Sequence, residues 1–332
     1  MRLTPRAEFL IRKYAAGLAG GGTSAQSGNY FSLTEPREIR LRNALMQSSE
    51  FLKLINIMDV DQIQGQVIST GNPGLFTGRV KGGRFSREMG NSGNEYKLVE
   101  TDSGSFITYA LLCVWANSGT ENEFFQRIQA FSNKSFALDM LTIGFNGEGA
   151  AETTNPTDNP LGQDVNIGWH AIVKKRTPGQ VVTGEVILGD AANADFFGLD
   201  AAATDLIHNC ILEQYRNHPD LVVLAAADLI GADATTMMNK VDRPSEKAAA
   251  RLITREIAGR KAYSPPNLPA GRLIVTTLSN LHIYTERGSR RRKAEWVDDR
   301  KQFENNYLRM EGYAVEHDEL YAAFDKISLP TG

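Results

Sequence analysis

The stretch from Ser118 to Gly147, SGTENEFFQRIQAFSNKSFALDMLTIGFNG, constrains the fold most, because its spacing predicts a single long helix. Thr120 stands three residues before Glu123, and a hydroxyl and a carboxylate at that spacing satisfy the first free N–H groups of a helix. Apolar residues recur at Phe124, Ile128, Phe131, Leu138 and Leu141, and Phe125, Phe136, Met140 and Ile143 widen the stripe. Gly144 and then Asn146-Gly147 give the stop signal. A helix from Thr120 to Ile143 would be roughly 36 Å long. On pattern alone it fits a buried helix of an α/β enzyme as well as a structural spine.

The run behind the helix, FNGEGAAETTNPTDNPLGQDVNIGWHAIV, shifts that balance. Phe145, Asn146, Gly147, Ala151, Glu152, Thr153, Asn159, Pro160, Gln163, Asp164, Val165, Gly168 and Trp169 follow one another in an order that resembles the major capsid proteins of P2-type tailed phages. Further similar blocks lie at 47–57, 219–223, 278–284 and 303–327, so the resemblance covers most of the chain in sequence. It implies an α+β fold of the Hong Kong 97-like capsid type, without catalytic activity, cofactor or metal. The segments it implies are a removable N-terminal prosegment (1–31), an N-terminal arm (32–62) and an extended β-hairpin loop (63–112). A peripheral domain (113–203, with the spine helix at 119–144), an axial domain (204–286), long peripheral strands (287–312) and a return strand (313–332) complete it.

The same resemblance implies partners. The chain would be a homo-oligomer of pentamers and hexamers that meets a scaffold, a prohead protease, a portal protein and, non-specifically, packaged double-stranded DNA. It would assemble in the host cytoplasm and end in the virion. An encapsulin-like nanocompartment shell is the alternative within the fold, and it would lack a removable arm. An α/β enzyme with a scattered site and a nucleic-acid-binding module are the alternatives outside it.

Residues 1–34 stand apart in composition. They carry a net charge of +3, which leaves −6 for residues 35–332 of a chain whose total is −3. Leu3, Phe9, Leu10, Tyr14 and Leu18 outline a short amphipathic helix, and GLAGGGTSAQSGN behind it is a flexible tether with nothing to pack. The resemblance places the maturation cut near Asn29, Tyr30 and Phe31. Few contacts with the body are expected from this segment, so its removal should leave the melting temperature almost unchanged.

Pro36 opens a short helix carrying Ile39, Leu41, Leu45 and Phe51, too small to fold alone. Residues 63–110 are dense in glycine between β-like runs such as QVIST and SFITYALL, which reads as a long hairpin. In the resembling fold both elements lie on neighbouring subunits, which makes Phe51, Phe76, Arg79 and Lys81 inter-subunit candidates. QVVTGEVILGD reads as a strand, 203–217 as an amphipathic helix, LVVLAAADLI as a buried strand, and GADATTMMNKVDRPSEKAAARLITREIAG as helix, loop, helix. ERGSRRRKAEW gathers Arg290, Arg291 and Arg292 beside a turn, where counter-charges from another subunit are expected.

Chemistry is hard to place on this chain. The five histidines lie in separate elements, without the i, i+4 spacing of a metalloprotease helix. No phosphate-binding loop or nucleophile elbow occurs, and Cys113 and Cys210 have neither metal nor disulfide spacing. No apolar run approaches the ~18 residues needed to cross a bilayer, and no membrane partner is expected. The net negative charge opposes a dedicated DNA-binding face but suits a container wall along which DNA slides.

Overall fold

The computed structural model describes residues 5–19, 31–33, 35–67, 77–86, 94–117, 120–189, 194–239 and 256–328. In chain order the elements begin with α1 (Pro5–Ala19), β1 (Phe31–Ser32), α2 (Glu35–Ser48), β2 (Asn56–Val60), β3 (Gln64–Gln66), β4 (Glu95–Lys97), β5 (Val99–Thr108), α3 (Tyr109–Asn117) and α4 (Glu121–Asn146). Then come α5 (Trp169–Arg176), β6 (Val181–Ile187), α6 (Leu199–Asn209), β7 (Leu221–Ala225), α7 (Ala227–Asn239), β8 (Glu256–Ile257) and β9 (Arg260–Tyr263). The chain closes with β10 (Leu273–Thr277), β11 (Leu281–Glu286), β12 (Arg291–Val297), β13 (Gln302–Val315) and β14 (Ala322–Ser328). They divide into two compact units, one made of 1–63, 97–140 and 283–312, the other of 64–96, 141–282 and 313–332.

In the first unit a sheet runs β1-β12-β13-β11-β2, and β5 also pairs with β13. Both β12 and β5 are antiparallel to β13, over Gln302–Leu308 and Gln302–Glu311 respectively. The predicted spine is α4, 26 residues long. The Glu123 N–H donates to the Thr120 hydroxyl at 3.4 Å, as the cap spacing requires. Its buried face steps through Phe124, Ile128, Ser132 and Phe136, four residues at a time. Phe131 lies off that line and is 53% exposed, a correction to the stripe expected from spacing. Asn305 Nδ2 donates to Ser132 Oγ at 3.0 Å, which ties the helix to β13.

The second unit is built on a sheet of order β6-β14-β10-β7-β9-β8. Every residue of β7 and β10 is buried, as a run of Leu, Val and Ile in a central strand demands. Leu199, Ala202, Ala203 and Leu206 of α6 join that core.

Several local expectations are corrected. YALLCVWAN is helix α3 and not strand, because an apolar run with aromatic and branched residues carries no period to separate the two. The helix expected over 203–217 starts earlier and ends at Asn209, and a 3-10 turn follows at Glu213–Tyr215. Glu256 and Ile257 pair with β9 and do not end a helix; the expected helix before them falls in 240–255, outside the described residues. β3 and β4 form a two-stranded sheet at the base of the expected hairpin.

Candidate assembly surfaces

The signature behind the spine helix has a packing cause. Trp169 is fully buried, its Nε1 donates to the His282 carbonyl at 2.9 Å, and Phe145 and Tyr313 meet its ring edge-to-face at 5.1 and 5.3 Å. A Cβ on Gly144 would stand 2.4 Å from that ring, so Gly144 is a notch for the indole inside the helix and not its stop signal. At Gly147 a Cβ would come within 2.2 Å of the Asn166 carbonyl, and at Gly168 within 2.5 Å of the Gly144 carbonyl. Asn146 Nδ2 donates to the carbonyls of Thr142 and Asn267 at 2.8 and 2.9 Å. The Gln163 carbonyl accepts from the N–H groups of Glu148 and Gly149, and the Asp164 carbonyl from that of Ala151. These residues hold the 147–168 loop in one shape.

The three arginines separate. Arg290 is buried, donates to Asp59 at 2.5 Å and lies 3.5 Å from Glu38, both in its own chain. Burial works against its charge, but the Tyr307 hydroxyl and Asp59 outweigh it and raise its pKa further. Arg292 is buried as well, with its guanidinium 5.4 Å from the Tyr307 ring and 5.9 Å from Phe136, and burial lowers its pKa. Only Arg291 of the three is exposed. The expectation of counter-charges from another subunit is therefore corrected for Arg290, whose acids come from the α2–β2 region. Spacing alone missed a second stack: Arg309, 4.7 Å over Tyr307 on its other contact, forms a bidentate buried pair with Glu311. No short-range pattern signals it, because two positions apart on a strand is an ordinary spacing.

The N-terminal helix also departs from expectation. Ala7, Leu10, Ile11 and Tyr14 of α1 are buried in one cluster with Ile107, Leu112, Phe124, Ile128 and Phe303. Tyr14 meets Phe303 edge-on at 6.0 Å, and burial pushes its hydroxyl pKa up to about 12. Lys13 pairs with Glu121 at 2.5 Å. So α1 is part of the first unit's core, not a loose appendage. Asn29 and Tyr30 lie outside the described residues, and the Phe31 backbone pairs with Arg292 on β12.

The arm is likewise less dependent on neighbours than expected. Leu45 packs on Phe136 and Tyr307, and Phe51, Leu52 and Ile55 are buried within the chain. Phe51 is thus corrected from a contact offered outward to one made inward. Ile39 and Met58 stay exposed along an open groove of about 420 Å³ beside Arg42 and Asp59. Arg79 and Lys81 lie in a fully exposed loop, and Phe76 is outside the described residues.

One partly buried group of titratable side chains has the composition of a proton relay. Asp325 accepts from Lys174 at 2.6 Å and Arg272 at 2.7 Å and lies 3.2 Å from His170 Nε2, while His170 Nδ1 is 3.0 Å from the Tyr321 hydroxyl. The contacts with His170 and Lys174 hold Asp325 far below the usual carboxylate range, burial lowers His170, and burial raises Tyr321 well above a normal phenol. Tyr321 is 1% exposed, so its hydroxyl cannot reach a substrate. The group clamps α5 to β14. Among the described residues no cluster of His, Cys, Asp and Glu could hold a metal, and no helix is long and apolar enough to cross a membrane.

Comparison with known proteins agrees with a shell component. The family model described as "Phage major capsid protein, P2 family" matches residues 11–327. The capsid protein of Escherichia phage P2 is 30% identical over 305 residues, covering 87% of this chain and 85% of that one. The major capsid protein of Serratia phage KSP20 is 26% identical over 277 residues, 79% of each. Among solved structures, a chain of the satellite phage P4 procapsid that includes the size determination (Sid) protein superimposes with a TM-score of 0.79 at 26% identity, covering 99% of both chains. The fold is therefore that of Hong Kong 97-like capsids, the protein is structural and not an enzyme, and such proteins assemble into oligomeric shells. This chain belongs to the P2 family of phage major capsid proteins.

Proposed function

We propose that this chain builds an icosahedral phage head from pentamers and hexamers, co-assembling with an internal scaffold in the bacterial cytoplasm. A portal protein joins the shell, double-stranded DNA fills it, and a prohead protease removes the N-terminal segment beside Asn29, Tyr30 and Phe31. The observation that carries the reading is the end-to-end likeness to a procapsid chain. The composition of residues 20–30 supports the cut, since a Gly/Ser-rich tether between a helix and a strand is a preferred site of proteolysis. A net negative body supports the role of wall, because it does not hold DNA in place.

Co-expression with the scaffold and protease genes of a P2-type phage tests this. Negative-stain microscopy is expected to show closed shells, and mass spectrometry a new N-terminus near residue 30. A chain that sediments as a folded monomer at high concentration with its scaffold present would overturn the reading.

A further inference from the structure

We propose that removal of α1 uncovers an anion site at Arg292, and that its ligand is a backbone phosphate of nucleic acid. The inference rests on the proposed cut near Phe31 and says what that cut opens.

Three buried arginines lie on or beside β12 and β13, and two of them have their charge answered. Arg290 has Asp59 and Glu38. Arg309 has both carboxylate oxygens of Glu311, and its Nη1 donates to the Ser103 hydroxyl at 2.8 Å. Arg292 is 3% exposed, yet among the described residues no carboxylate pairs with it, and its buried Nη1 has no hydrogen-bond partner. The rings of Tyr307 and Phe136 are what its guanidinium meets instead. A buried cation without a counter-charge is costly, and its donors remain available to an anion.

The cover over Arg292 is α1. Arg292, Ala294 and Trp296 alternate along β12 and so share one face of the strand. Ala294 and Trp296 pack in the cluster that holds Leu10, Ile11 and Tyr14. Tyr14 and Arg292 are close enough for each to perturb the other's ionisation. The Tyr14 hydroxyl is also buried without a hydrogen-bond partner among the described residues. A permanent interface leaves few such atoms, and two in one contact suit a cover that is to be lifted.

Lifting α1 also bares Phe125 and Phe303, whose rings lie 5.8 and 6.0 Å from that of Tyr14. A cation among aromatic faces fits nucleic acid, which offers both phosphate charge and flat bases. An acidic peptide would use the charge alone. The cut itself adds a second cation. Hydrolysis consumes one water, leaving a carboxylate on the departing segment and an α-amino group on the retained one. That amino group forms at the strand whose Phe31 backbone pairs with Arg292. Arg291 points to the opposite face of β12 and is exposed, outside the site. One such site per copy leaves the body net negative and makes contact with packaged nucleic acid conditional on maturation.

Shells co-expressed with scaffold and active protease are compared with shells made with an inactivated protease. The probe is fluorescein-labelled tetrathymidylate, read by fluorescence anisotropy. Processed shells are expected to bind it about tenfold more tightly, or better, than unprocessed ones. R292Q should remove that gain and reduce the slope of log affinity against log salt by about 0.7, the share of one phosphate contact on a single strand. R291Q, on the other face, should leave binding within about twofold. Equal binding by processed and unprocessed shells overturns the proposal, and that comparison requires no variant to fold. Unchanged binding by processed R292Q shells overturns it as well. Tighter binding of a tetraglutamate peptide than of tetrathymidylate would assign the site to an acidic protein segment instead. Mass spectrometry separates this failure from that of the underlying reading: shells in which every chain keeps residue 1 would remove the cut, and the site with it.

Discussion

Gly144 looks like punctuation in the sequence and proves to be a cavity wall in the structure. Replacing it by alanine puts a methyl group into the Trp169 ring and is expected to destabilise the chain by about 1–3 kcal/mol, as overpacking does. Gly149→Ala, with nothing within 4 Å, is the matched control. Urea denaturation of the two should show a lowered midpoint only for Gly144→Ala. Asp325 makes a prediction in pH. Its folded pKa is depressed, so its stabilisation is fully present above its unfolded pKa of about 4 and is lost as pH falls through the folded value. Asp325→Asn should therefore lower the melting temperature at neutral pH, and the gap to the unmodified chain should narrow under strongly acid conditions. Arg290→Ala should cost the chain several kcal/mol, about 3–5, because it leaves the buried Glu38 without its cation and Asp59 with Arg42 alone. A melt would show it before any assembly assay does.

At the scale of elements, α1 carries the clearest expectation. Leu10, Ile11 and Tyr14 are buried side chains, each contributing about 1.5–3 kcal/mol relative to exposure. Deleting residues 1–30 should therefore lower the melting temperature of the unassembled chain by several degrees, and coincident melts would show that α1 does not dock. The sequence argues the other way, since a basic helix on a Gly/Ser tether has no visible partner. Its partners, Ile107, Leu112, Phe124 and Phe303, lie about a hundred residues or more downstream, and local pattern does not encode a contact made at that range. The same blindness explains Arg290: three adjacent like charges read as a solvated tip because Glu38 and Asp59 come from the other end of the chain. What was legible is what local physics writes. The Thr120 cap, the length of α4 and the buried β7 all follow from spacing and hydrophobicity over a few turns. The capsid signature at 145–169 was legible too, but as a resemblance. Its cause, an indole seated against Gly144 with close backbone approaches at Gly147 and Gly168, needed coordinates.

For the molecule as a whole, charge should govern assembly more than folding. Exposed ion pairs contribute at most about 1 kcal/mol each and weaken with salt. Raising ionic strength is expected to slow or weaken shell formation while leaving the chain's own melt nearly unmoved, measured by light scattering against differential scanning calorimetry. Arg291→Ala should shift assembly slightly and stability hardly at all, the reverse of Arg290→Ala. The docked N-terminal helix adds a final consequence. While residues 20–30 join α1 to β1, the helix and its packing site belong to one chain, and its effective concentration there is that of an intramolecular partner, in the millimolar range for a short linker. Cutting that link alters none of the contacts that Leu10, Ile11 and Tyr14 make. It turns a part of the protein into a dissociable peptide whose occupancy obeys mass action. If the proposed cut is made inside a closed shell, every copy would shed its peptide into one small volume, so the packing sites would stay filled until the peptide escapes or is degraded. Proteolysis would set the permission, and dilution the moment, of release.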